Sequence, residues 1–167
     1  MEFYQEGLPC ENSRILYVDG LMIHCQVTRV TEVQWDDTVK VANWVVMVHG
    51  FGGSTYSFQG LAKKMNEAGY GTVLSDLPGF GYSDRGRFEH TQENRGRVVL
   101  GVMEQLGIIQ LTEHKVVLIG HSMGAGAVLA AAIALQEKGQ SGLVQQMILI
   151  DGALFDRQGK QGIISRY

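Results

Sequence analysis

The apolar run Val116 to Ile119 passes without a break into Gly120-His121-Ser122-Met123-Gly124, and then into an alanine-rich stretch ending near Glu137. The run reads as a strand covered on both faces, and the alanine-rich stretch reads as a helix. Joining the two with no intervening loop demands a sharp strand-to-helix turn at Ser122, with the serine backbone strained and its hydroxyl projecting. Such a turn needs small neighbours, because helix and adjacent strand approach closely there. Gly120, Gly124, Ala125 and Gly126 supply that clearance. A serine that merely caps the helix is the alternative.

The rest of the chain agrees with a sheet flanked by helices. Trp44 to Val48 is a second continuous apolar run, ending at His49-Gly50-Phe51-Gly52-Gly53. A helical stripe follows, with Phe58, Leu61, Met65 and Ala68 on one side and Gly69 as a stop. Gly71 to Ser75 predicts another strand, leading into the turn-rich Asp76-Leu77-Pro78-Gly79-Phe80-Gly81-Tyr82-Ser83-Asp84. A second helix is predicted from near Thr91 to Gly107, and Gln145 to Ile150 makes a sixth strand that stops at Asp151-Gly152. Thr31 to Asn43 has no clear period and reads as a connection with short extended pieces. Ala153 to Tyr167 reads as loop or partial helix.

The opening differs in kind. Ile15 to Val18 and Leu21 to Val27 flank Asp19-Gly20, a pair that favours a type I′ hairpin turn. Leu21, Ile23, Cys25 and Val27 alternate with Met22, His24, Gln26 and Thr28, which predicts an antiparallel pair with one covered face. The fold class is therefore α/β, with a mostly parallel sheet and an antiparallel N-terminal hairpin. Residues 1–167 form a single domain, since no repeat or linker divides them.

Composition removes several classes of function. Hydrophobic residues are 45% and charged residues 19%, as in ordinary globular domains. A net charge of −3 with signs interspersed gives no phosphate-binding surface, so nucleic acid is not an expected partner. No segment is apolar for long enough to span a bilayer, and residues 1–11 lack a signal-like apolar run, so the cytoplasm is the expected compartment. The two cysteines, Cys10 and Cys25, match no disulfide framework or metal motif, and Cys25 reads as a buried reduced thiol.

The glycine-rich segments carry the chemistry. A nucleophilic serine creates an oxyanion that preorganised backbone N–H groups must meet. The amide of Met123, just after Ser122, is one candidate donor; the amide of Phe51, on the turn after the neighbouring strand, is another. His49, Gly50, Gly52, Gly120, His121 and Gly124 shape the same region.

In order and context, strand, HGFGG, helix, strand, DLPGFGYSD, helix, strand and GHSMGA, the chain resembles the α/β-hydrolase superfamily. It is most similar to its cofactor-independent esterase-like branch. The resemblance runs from the hairpin to Asp151. It implies Ser122 as acyl-transfer nucleophile, Phe51 and Met123 as the oxyanion hole, no cofactor or metal, and a small-molecule ester as substrate. Branches that open epoxides or displace halide carry aspartate at the elbow, so Ser122 points away from them. The resemblance also implies eight strands, of which about six are here, with the C-terminal strands and cap lacking. Serine, acid and histidine follow in that chain order in the family, yet no histidine follows His121. His24, His49, His90, His114 and His121 are poor substitutes. Asp151 ends the sixth strand, where some members place the catalytic acid; strand-end hydrogen bonding is the alternative. A sixth strand left at the edge would be open to self-association or to a complementing chain.

Overall fold

The computed structural model describes residues 7–30, 33–35, 38–40, 43–110 and 115–152. A six-stranded sheet is built from β1 (Ser13–Val18), β2 (Leu21–Thr28), β5 (Trp44–Val48), β6 (Gly71–Ser75), β7 (Val116–His121) and β8 (Val144–Ile150). Two short strands, β3 (Val33–Trp35) and β4 (Thr38–Lys40), pair with each other outside it, so the aperiodic connection does contain short extended pieces. The helices are α1 (Gln59–Glu67), α2 (Gln92–Gln105) and α3 (Met123–Glu137). The expected loop or partial helix after Gly152, and His114, lie outside the described residues.

The spatial order is β1-β2-β6-β5-β7-β8, with β1 and β2 antiparallel, β2 antiparallel to β6, and the remaining pairs parallel. Asp19 and Gly20 both have positive φ, 50° and 80°, as a type I′ turn requires. From β5 the chain steps to β6 on one side and later to β7 on the other. The sheet therefore switches direction between the C-terminal ends of β5 and β7, where open α/β sheets leave a crevice. The register aligns those ends: Val48 pairs with both Ser75 and Gly120. His49, Asp76 and His121 consequently sit at one level along the sheet edge.

Side chains alternate between two cores. Val46, Val48, Val73 and Leu118 face α2 and α3, joined by Val98, Val99, Val102, Met103, Val128 and Ala131. Val45, Met47, Leu74 and Ile119 pack with Ala62 of α1 and with Phe58, just before it. One expectation fails at β2: residues 23–27 are buried on both faces, not one. The reason is positional. β2 lies inside the sheet between β1 and β6, and its polar-looking face carries His24 and Gln26 against interior partners. Cys25 is a free, fully buried thiol, and burial pushes it up to about 12, with Asp76 adding to this and Arg14 opposing it.

α2 and α3 touch through glycine. A Cβ at Gly96 would lie 2.5 Å from the Ala130 Cβ and 2.8 Å from the Ala131 backbone nitrogen. Gly60 in α1 has nothing within 4 Å of the same position. Denaturant unfolding should separate the two sites: Gly96→Ala is expected to cost about 1–3 kcal/mol by overpacking, and Gly60→Ala to stabilise by about 0.5 kcal/mol.

Candidate active site

Ser122 is the joint between β7 and α3. Its backbone stands at φ 50°, ψ −113°, a conformation that fits the first central position of a type II′ turn and that glycine normally occupies. Holding a serine there costs about 1–3 kcal/mol, so the surroundings must over-determine it. They do so on two sides. The Ser122 amide donates to the Ile150 carbonyl at 2.8 Å, extending the β7–β8 ladder through the turn. The Ser122 carbonyl accepts from the Ala125 amide at 3.1 Å and opens the helix. Its side chain makes no cap hydrogen bond, so the capping alternative does not describe this serine.

The flanking glycines are required by close approach. A Cβ at Gly124 would fall 2.3 Å from the Val48 carbonyl oxygen and 2.5 Å from that of His49. A Cβ at Gly120 would fall 2.4 Å from the Gly124 carbonyl oxygen. Gly50 lies against the elbow itself: a Cβ there would meet His121 Nδ1 at 2.6 Å and the Ser122 Cβ at 3.1 Å. The glycine turn after β5 and the serine turn after β7 are therefore packed together.

His49 is buried and holds the first of these turns. A carbonyl oxygen only accepts, so Nδ1–H donates to the Gly50 carbonyl at 2.7 Å, leaving Nε2 to accept from the Leu77 amide at 3.1 Å. Burial pushes the imidazole below its usual 6.5, against the bond to Gly50 and the charge of Asp76. Both ring nitrogens are occupied. The Gly50 carbonyl also accepts from the Gly53 amide at 3.0 Å, and Gly52 takes φ 72° at the bend. Among the described residues the Phe51 amide has no acceptor, and the Met123 amide, first in α3, has no intrahelical one. The Phe51 ring is 83% exposed and meets Phe80 edge-on, centroids 5.4 Å apart.

The remaining candidates divide clearly. His121 is exposed and leans over Gly50. His90 packs edge-on against Phe88. Asp151, exposed and at φ 49°, directly follows Ile150, the residue paired with His121 and bonded to the Ser122 amide. The chain thus brings Asp151 close to the elbow, with no hydrogen bond to it among the described residues. The strand-end bonding alternative is therefore not seen here.

Sequence reasoning missed the buried group at the end of β6. The Asp76 carboxylate accepts from the Thr55 amide at 2.6 Å, the Tyr82 amide at 3.0 Å and His24 Nδ1 at 2.8 Å. His24 Nε2 lies 3.0 Å from Ser13 Oγ. Acid, imidazole and hydroxyl are linked as in a serine-hydrolase triad, but all three are sealed from solvent, which gives the trio a structural role. His24 is thereby a core residue. The one available signal was a histidine in the middle of a strand whose both faces could be covered. A cleft of about 310 Å³ between Asp19, Leu21, Arg87, Phe88, Asn94 and Arg97 contains none of the elbow residues.

Burial alone raises the Asp76 carboxyl, but the bonds from His24, Tyr82 and Thr55 outweigh it and hold the group below the ordinary 3.8. A lowered folded-state pKa contributes stability above the unfolded value that is lost as pH falls through the folded one. Thermal melts should accordingly show Asp76→Asn well below the parent at pH 7, with the gap narrowing once pH drops under 3.8.

Residues 43–162 match the family described as alpha/beta hydrolase fold. The chain is 38% identical over 90 residues to the uncharacterized hydrolase YugF of Bacillus subtilis (strain 168), covering 53% of this chain and 31% of that protein. It is 33% identical over 124 residues to a 2-hydroxy-6-oxononadienedioate/2-hydroxy-6-oxononatrienedioate hydrolase of Cupriavidus pinatubonensis, covering 72% of this chain and 39% of that one. The esterase EaEST from Exiguobacterium antarcticum superposes with a TM-score of 0.65 at 28% identity, over 87% of this chain and 48% of its own. The chain thus spans half or less of the length of these relatives. No helix among the described residues is long and apolar enough to cross a membrane. With its sheet order, its serine elbow and a family match over most of its length, the chain belongs to the alpha/beta hydrolase fold family.

Proposed function

We propose that the chain carries the nucleophile and oxyanion donors of a serine hydrolase acting on carboxylic esters of small molecules. The supporting observation is the strained elbow: Ser122 at φ 50°, ψ −113°, half-buried, its side chain not spent on capping, beside a glycine turn with an amide free to donate. In this reading Ser122 Oγ attacks the ester carbonyl carbon as its proton passes to a base. The amides of Phe51 and Met123 stabilise the oxyanion. Collapse expels the alcohol, which takes that proton, and water then releases the acid from the acyl-serine. Neither His24 nor His49 is the base in this reading, because both ring nitrogens of each are engaged inside the fold. Asp151 directly follows Ile150, the residue in register with His121 at the elbow, and it is the candidate acid.

A fluorophosphonate probe on the full gene product should label Ser122, and Ser122→Ala should abolish both labelling and hydrolysis of 4-nitrophenyl acetate. Persistence of either would overturn the assignment. Carbon–carbon bond hydrolysis on the same nucleophile is a second reading, favoured by the Cupriavidus relative; a carbon–carbon substrate turned over faster than any ester would select it.

We also propose that β8 pairs with a second copy or a complementing chain. It pairs only with β7 among the described strands, has no charged residue, and leaves Ile148 and Ile150 38% and 40% exposed. Size-exclusion chromatography of the 167-residue chain should show assembly that Ile148→Lys reduces; a monomer at all concentrations would count against it.

A further inference from the structure

The proposed oxyanion turn runs from His49 into a short 3-10 helix that begins at Thr55. Two adjacent residues after β6 hold it, one at each end. At the near end, the Leu77 amide donates to His49 Nε2 at 3.1 Å. At the far end, the Asp76 carboxylate accepts from the Thr55 amide at 2.6 Å. The same carboxylate reaches across to the Tyr82 amide and to His24 Nδ1. Its backbone is fixed as well, since the Asp76 amide donates to the His24 carbonyl at 2.9 Å and the Asp76 carbonyl accepts from Ser83 Oγ at 2.7 Å. Ser83 Oγ in turn accepts from the His24 amide at 2.9 Å. Phe80, on the loop that Asp76 closes, meets the exposed ring of Phe51.

From this arrangement we infer that Asp76 is a positioning residue for the Phe51 amide, setting the rate of the reaction through the glycine turn without touching substrate. The inference rests on the proposed serine-hydrolase reading. Its chemistry is specific to a carboxylate. Two oxygens that only accept are matched to three N–H groups, two of them backbone amides that cannot become acceptors. Asparagine has nearly the same shape, yet its amide must set a donor against either Thr55 N–H or Tyr82 N–H. The imidazole could adapt by changing tautomer; the backbone could not. Gly81 closes the other side. A Cβ there would lie 2.0 Å from Asp76 Oδ2, and its φ is 51°. Gly81→Ala therefore presses on the carboxylate while leaving its charge in place.

The test is kinetics on the full gene product with 4-nitrophenyl acetate, with active sites counted by end-point fluorophosphonate titration. Asp76→Asn should lower kcat per titrated serine about 10–100-fold, with KM within about threefold, as expected when an oxyanion donor is displaced and not removed. Gly81→Ala should do the same, and the double variant should be no worse than the poorer single one. A merely structural carboxylate would reduce the number of titratable sites and leave kcat per site unchanged; that result overturns the inference. Amide NMR gives a second reading that needs no turnover. In Asp76→Asn the Phe51 and Gly52 resonances should shift, with α3 beyond Ala127 unmoved, and an unmoved Phe51 also overturns it. Loss of serine labelling in the parent protein would instead sink the hydrolase reading, and the NMR result would still judge the positioning role.

Discussion

Backbone packs directly on backbone where the start of α3 meets the end of β5, and the rest of the architecture depends on that contact. The Gly124 Cα sits so close to the Val48 and His49 carbonyls that any side chain would collide with both. Gly120 repeats the constraint one turn earlier, against the opening of the helix. These two absences of a methyl group let a helix start immediately after a strand, and they bring a strained serine beside the turn that follows the neighbouring strand. The strain is local and the support is spread out. It comes from the β7–β8 ladder reaching Ser122 through Ile150, and from the α2–α3 contact at Gly96. A site assembled in this way owes its geometry to the sheet.

The loops at that edge are ordered by a different force. A carboxylate removed from water is costly unless every oxygen is bonded, and hydrogen bonds to a charged group contribute about 1.5–3 kcal/mol each when they are satisfied. Asp76 meets that condition with three donors drawn from three places in the sequence, at positions 24, 55 and 82. One buried charge thereby fastens the hairpin, the glycine turn and the aromatic loop to the end of β6. Apolar packing could cover these segments but would not fix their register to a fraction of an ångström.

Much of this is legible in the residues. The continuous apolar run Trp44–Val48 has the limits that its sequence implies, because burial on both faces leaves an unbroken signal, and Gly71–Ser75 stops where the turn formers begin. α2 and α3 are equally plain. Thr91 caps the first, with its side chain accepting from the Asn94 amide, and the elbow marks the start of the second. The serine turn and the glycine turn announce themselves through glycines, which close approach requires at Gly50, Gly120 and Gly124 and a positive φ at Gly52. The polar interior does not. His24 and Gln26 alternate with apolar neighbours just as exposed residues would, and nothing local says that another loop will fold over them. Asp76 looks like the first residue of a turn because its partners lie about 50, 20 and 6 positions away, separations that periodicity does not sample.

The glycine turn reaches further than its two bonds suggest. A trans peptide holds its carbonyl and its N–H antiparallel, so whatever fixes one end of the unit fixes the other. The Gly50 carbonyl is pinned by His49 Nδ1 and by the Gly53 amide. The Phe51 N–H must therefore point to the opposite side, away from the buried ring. An imidazole that never meets solvent acts as the pivot for a dipole at the surface. Giving that ring a second proton would turn Nε2 from acceptor to donor, break its bond from Leu77, and release the pivot.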